Sequence, residues 1–175
     1  MEFHEYLVET RRTINKDLNE KETVINLIMG LVGESGEIVE VTKKAIFHKK
    51  SFDRKFEKEI GDYLWYLARI FDTLELHKFY NEIIISPLGI EKNQLAINIL
   101  KLSFKTNKFA KSILSEGYRN NKQIIFTQWL SLYNYIHNLE YLDLDIRQLF
   151  TDNIAKLKLR YPDGFVSHSN RADLT

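Results

Sequence analysis

The sequence predicts an all-α protein, and two observations predict it. Only 2 prolines interrupt 175 residues, and apolar side chains recur at helical spacing along most of the chain. The first helix is expected over residues 3–18. The second is expected over 22–48, opened by Asn19 as N-cap with Glu22 three residues on. A polar turn, Ser51-Phe52-Asp53, precedes a third helix over 54–80. Ser86-Pro87-Leu88-Gly89 then breaks the pattern, and Ile83-Ile84-Ile85 before it reads either as a helix end or as a short extended piece. Helices over 91–116, 121–141 and 144–160 follow. The tail, 161–175, opens with Tyr161-Pro162-Asp163-Gly164-Phe165 and reads as turn and coil, or as a lid over a site.

At roughly 100–200 residues per domain the chain makes one domain. With 44% hydrophobic and 28% charged residues it can bury a core. The absence of cysteine excludes a disulfide scaffold, a thiolate metal site and a cysteine nucleophile. No apolar run reaches the ~20 residues of a membrane span. The opening Met1-Glu2-Phe3-His4-Glu5 carries no positive stretch before an apolar core, so a cytoplasmic protein is expected. A net charge of +1 argues against a nucleic-acid-coating protein. Lys101, Lys105, Lys108 and Lys111 nevertheless make the fourth helix basic, as a solvated face or as a steering patch.

Shifting the chain by about 68 residues lays helices two and three on helices four and five. Leu31 then meets Ile99, Val41 meets Phe109, Tyr63 meets Trp129 and Ile70 meets Ile136. The acids do not repeat: Glu34 meets Leu102, Glu37 meets Lys105 and Asp62 meets Gln128. Residues 20–80 then form a catalytic hairpin and 90–160 a degenerate copy serving as scaffold.

Those acids form the chemical signal. Glu34 and Glu37 stand at i, i+3 on helix two, and Glu59 and Asp62 do so on helix three. At ~100° per residue, Glu34 falls on the apolar stripe of Leu27 and Ala45, and Glu59 lies near the azimuth of Ile70. Glu37 lies to one side and Asp62 at the edge. Burying unpaired like charges costs several kcal/mol, so a cation is expected among them. Four carboxylates from two antiparallel helices make an oxygen-only cage, the ligand set of Mg²⁺ or Mn²⁺. A di-iron centre would want Glu-x-x-His on two helices, and no histidine follows a glutamate at that spacing. Glu40 either supports the cage or simply pairs with Lys44. Gly30, Gly33 and Gly36 recur inside helix two, where each costs about 1 kcal/mol, so a close approach to the backbone is expected.

The run Gly33-Glu34-Ser35-Gly36-Glu37, the later Glu59-Ile60-Gly61-Asp62-Tyr63-Leu64-Trp65-Tyr66 and the closing Asn153-Ile154-Ala155-Lys156-Leu157 resemble the MazG-like, all-α nucleoside triphosphate pyrophosphohydrolases. That resemblance implies packed helical hairpins with a four-helix-bundle core, usually completed by two subunits, and a homo-oligomer, dimer or tetramer. It implies Mg²⁺-dependent hydrolysis of a nucleoside triphosphate to monophosphate and pyrophosphate. It also implies that Glu34, Glu37, Glu59 and Asp62 hold the metal, unless Glu37 instead takes the proton of the attacking water. Dimeric all-α dUTPases are similar and carry a duplication with one degenerate half.

Side chains for the substrate follow from position. Asn153, Lys156 and Arg160 can share one face of helix six, either to meet substrate, with Arg160 at the leaving phosphates, or as a solvated basic helix end complementing its own dipole. Lys43 or Lys44 offers a further cation. Tyr66, one turn past Asp62, places a ring beside the cage, either for the base or as core packing, whereas Trp65 points elsewhere. Phe3 and His4 offer a closure of the pocket. The competing readings are a dUTP/dUDP-specific hydrolase with the same site, and a non-catalytic helical interaction module.

Overall fold

The computed structural model describes residues 1–51, 53–78, 94–117, 121–139, 142 and 144–165. Among these there is no strand, and six helices pack on one another. They are α1 (Phe3–Thr10), α2 (Glu20–His48), α3 (Asp53–Thr73), α4 (Leu95–Glu116), α5 (Lys122–His137) and α6 (Ile146–Arg160), with a 3₁₀ turn at Arg11–Thr13. The all-α expectation holds. No helix among the described residues is long and apolar enough to cross a membrane.

The start of α2 follows its cap. Asn19 Oδ1 accepts from the Glu22 amide at 3.0 Å, and Glu22 returns a carboxylate to the Asn19 amide at 3.0 Å. Helix one is shorter than expected. Ile14 is extended, with φ −81° and ψ 141°, and the Asn15 side chain accepts from the Asp17 amide at 3.0 Å. This turn ends the helix although Ile14 and Leu18 continue its apolar spacing. Helix three also ends early, at Thr73, because Glu75 takes the left-handed conformation with φ 56°. Lys78 and Lys122 both pair with the Glu75 carboxylate there. Helix five ends at His137, where the Asn138 amide group donates to the Asn134 carbonyl at 2.8 Å. The expected break at 86–89, and 83–85 before it, lie outside the described residues.

The core centres on Trp129 of α5, which is fully buried. Its indole donates to the Leu67 carbonyl at 2.9 Å, and its ring centroid lies 4.5 Å from Phe71 and 5.0 Å from Tyr133. Phe3 belongs to this cluster, 5.6 Å from Phe71 and 5.0 Å from Tyr133, so it is core and not a pocket closure. His4 is exposed. The antiparallel pair α2–α3 packs on α4–α5, and α1 and α6 pack against α3 and each other. Tyr63 of α3 joins the halves through Thr106 of α4, hydroxyl to hydroxyl at 2.7 Å. Leu31, Ile99, Val41, Phe109, Tyr63, Trp129, Ile70 and Ile136 are buried, whereas Leu27 is buried opposite a half-buried Leu95, and Ile46 and Leu114, which the same shift pairs, are exposed.

Candidate metal and nucleotide site

Helix α2 and helix α3 run side by side, and their acids meet. Carboxylate oxygens of Glu34, Glu59 and Asp62 lie within 4.8 Å of one another. Glu59 is buried, and Glu34 and Asp62 are half-buried. Burial, then the neighbouring charges of Asp62, Glu37 and Glu59, push Glu34 up to about 7, against a smaller opposing pull from Lys156. Burial also raises Glu59, offset in part by Lys58, while Glu37 and Asp62 push the same way as burial. Glu37 is exposed and stands outside the converging group. Its charge nevertheless reaches both Glu34 and Glu59.

Helix α6 supplies the counterweight. Lys156 Nζ forms an ion pair with Asp62 Oδ1. Asn153 is buried, and its amide is committed at both ends: Nδ2 donates to Asp62 Oδ1 at 2.9 Å, and Oδ1 accepts from the Tyr6 hydroxyl at 2.9 Å. The sequence offers Asn153 as a contact with substrate; the contacts the structure gives it are these two. It orients Asp62, with Tyr6 of α1 behind it. Nothing in the spacing of Tyr6 announced that role, because the three residues come from three helices.

Beside the carboxylates opens a cleft of about 420 Å³. Glu34, Asp62 and Lys156 line its floor, and Trp65 and Tyr66 one wall. Ile14, Asn15 and Leu18, which sequence periodicity assigned to a helix, line another wall. Trp65 and Tyr66 meet edge to face, centroids 4.8 Å apart, and the Trp65 indole donates to Thr13 Oγ1 at 3.0 Å. Trp65 therefore shares the cleft with Tyr66, contrary to its expected direction. Arg160 reaches the same cleft, its guanidinium 5.8 Å from the Tyr161 ring. Tyr161 and Phe165 line the cleft too. The Phe165 amide donates to the Arg12 carbonyl at 3.1 Å, and the Arg12 guanidinium to the Pro162 carbonyl at 2.8 Å. The first turn of the tail is thus a fixed wall, and 166–175 lie outside the described residues.

Lys44 goes elsewhere. It and Lys43 each pair with Glu40 at 2.8 Å, and neither lines the cleft. Hydrogen bonds from the two lysines lower Glu40 to about 2, so the plain ion-pair reading of that carboxylate is the observed one. Among the helix-two glycines, only Gly30 has a close neighbour. A Cβ there would sit 2.1 Å from Tyr66 Cε1, whereas Gly33 and Gly36 have nothing within 4 Å.

The donor set fits a hard divalent cation. Three carboxylates converge with no nitrogen or sulfur ligand in the group, and burial leaves their charge under-compensated. Fold and site together describe an all-helical protein with a carboxylate-floored, aromatic-walled cleft. No protein-family model matches the chain, no curated protein matches its sequence, and no solved structure matches its fold.

Proposed function

We propose that the chain hydrolyses a nucleoside triphosphate to monophosphate and pyrophosphate, as its resemblance to the MazG-like enzymes implies. The observation that carries this reading is the convergence of Glu34, Glu59 and Asp62 beside an aromatic-walled cleft that Glu34 and Asp62 line. The volume, about 420 Å³, lies in the range of small-ligand sites, ~300–1,000 Å³.

Glu34, Glu59 and Asp62 would hold Mg²⁺, or Mn²⁺ in its place. A bound ion of this kind neutralises phosphate charge and acidifies coordinated water. Tyr66 and Trp65 stack against the base. Lys156 and Arg160 meet phosphate oxygens, Arg160 on the leaving side. Glu37 is exposed beside the converging acids and takes the proton from the attacking water. The water oxygen bonds to the α-phosphorus, the bond to the bridging oxygen breaks, and pyrophosphate leaves with the electron pair. Glu37 thus takes the base role, not that of a fourth ligand. The hairpin α4–α5 is read as the scaffold half of a duplicated unit, the protein as a cytoplasmic homo-oligomer, and nucleic acid as no partner.

The test is a panel of ribo- and deoxynucleoside triphosphates, with Mg²⁺ and with EDTA, separating monophosphate from diphosphate products. Expected is monophosphate plus pyrophosphate with metal only, lost at least about 100-fold in Glu37→Gln, with Mn²⁺ binding retained. Diphosphate as product, or turnover in EDTA, would overturn the reading. Binding of Mn²⁺ with no turnover of any triphosphate would leave only a metal-holding helical module.

A further inference from the structure

Lys156 stands where two spaces meet. It lines the aromatic-walled cleft, and it also lines a second cavity of about 360 Å³ between α3 and α6. Glu57 and Asp152 border that second cavity. Asp152 is exposed and lies one turn before Lys156 on α6, within reach of its side chain. The Lys156 side chain is 31% exposed, and its ammonium rides on a flexible four-carbon stem, so it has room to move.

The contact it makes is with the acidic floor. Asp62 Oδ1 accepts from Lys156 Nζ and from Asn153 Nδ2 together. A carboxylate oxygen offers about two acceptor positions, and these donors use both. The charge of Lys156 reaches further than this one contact. It lowers Glu34 and Glu59, against the burial and the neighbouring carboxylates that raise them. Lys58 also offsets the burial of Glu59, but Lys156 is the cation that reaches Glu34 as well. Arg160 lies against the Tyr161 ring, 5.8 Å from its centroid. One ammonium therefore serves all three converging acids.

We propose that Lys156 is the built-in counter-cation of the cage, and that its ammonium and a divalent ion exclude each other at Asp62. The inference rests on the metal-site reading above. An ion held by Asp62 and an ammonium on the same carboxylate are like charges at close range in a half-buried site, where screening is weak. Lys156 therefore gives up Asp62 as the ion enters. Asp152 offers its ammonium another carboxylate, and the cleft offers it the phosphate oxygens of a substrate. An order of binding follows: Lys156 becomes available to phosphate only after the ion has taken its place, so the metal binds before the triphosphate.

The test reads metal binding to the full chain without nucleotide. Lys156→Met keeps the apolar stem and removes the charge. It is expected to bind Mn²⁺ at least about fivefold tighter than the natural chain in a calorimetric titration. Lys158→Met makes the same change of net charge at the Lys158–Glu9 ion pair, and is expected to shift the affinity by less than about twofold. If Lys156 only held Asp62 in position, its loss would weaken Mn²⁺ binding instead. Unchanged or weaker binding in Lys156→Met, or an equal gain in both variants, overturns the proposal and leaves the metal site standing. Binding of Mn²⁺ by neither the natural chain nor Lys156→Met overturns the metal reading, and the proposal with it. A second measurement needs no variant. Acetylation by an N-hydroxysuccinimide ester, followed by mass spectrometry of the peptides, should run at least about twofold faster at Lys156 when Mn²⁺ is present, as the amine loses its carboxylate partner, with Lys158 as the internal standard. A rate at Lys156 that Mn²⁺ does not change, in a chain that binds the ion, overturns the exclusion.

Discussion

Asp62 shows how much of the site is held from behind. Its Oδ1 receives both Lys156 and Asn153, and Asn153 is itself held by Tyr6. The last contact is fully buried, and burial pushes the Tyr6 hydroxyl well above its ordinary range, with the Asp62 charge adding to it. The hydroxyl therefore stays protonated and remains a donor. Tyr6→Phe leaves the Asn153 oxygen buried without that donor, at a cost of ~1–3 kcal/mol. A lower melting temperature and a weaker Mn²⁺ titration are expected together. An unchanged Mn²⁺ affinity beside a lowered melting temperature would make the contact purely structural. The acids themselves were legible from helical azimuth, since Glu34 and Glu59 fell on apolar stripes. The Tyr6–Asn153 support was not, because a hydrogen-bonded chain across three helices leaves no periodicity in any one of them.

At the scale of the element, the approach of α2 to α3 depends on Gly30. The Tyr66 ring occupies the space a Cβ would need, at 2.1 Å. Gly30→Ala gains up to about 1 kcal/mol of helix propensity but must displace the ring. For a nucleotide substrate, KM is expected to rise several-fold with kcat less affected, measured in steady state. An unchanged KM would remove Tyr66 from base contact. The glycine spacing drew attention to this helix correctly, and its explanation then split. Gly30 admits a ring of the same chain, whereas Gly33 and Gly36 face open space. Helix ends show a similar division. The Asn19 cap was readable because its partner, Glu22, is local. The end of α1 was not, because Ile14 and Leu18 keep helical spacing while serving the cleft wall.

Across the whole molecule, α1 and its 3₁₀ turn are tied to α3 by a charged cluster. Arg11 meets Asp72 through two hydrogen bonds, at 3.0 and 2.7 Å, and Arg69 donates to the same carboxylate at 2.9 Å. Burial raises the Asp72 carboxyl, but the Arg11 hydrogen bond and the charges of both arginines outweigh it and hold the group below its ordinary value. A depressed folded pKa gives stability that is complete above the unfolded value, ~3.9, and is lost as pH falls through the folded one. Asp72→Asn should therefore destabilise at neutral pH, by about 1–3 kcal/mol since Arg69 is left buried and unpaired, and flatten the acid limb of the stability profile. Urea unfolding between pH 7 and pH 2.5 measures both effects. A parallel acid limb in the variant would assign the loss to other carboxylates.

By itself the sequence determined the helical class, the cap of α2 and three of the four acids expected to converge. These are properties of one helix at a time, set by spacing at 3.6 residues per turn and by local hydrogen bonds. Only the tertiary structure decided that Asn153 donates to Asp62, that Trp65 joins Tyr66 on the cleft wall, and that Gly33 and Gly36 lie open. Each of these depends on where a second or third element arrives. Helix crossing and chain reversal set that arrival, and neither is encoded in the period of a single helix.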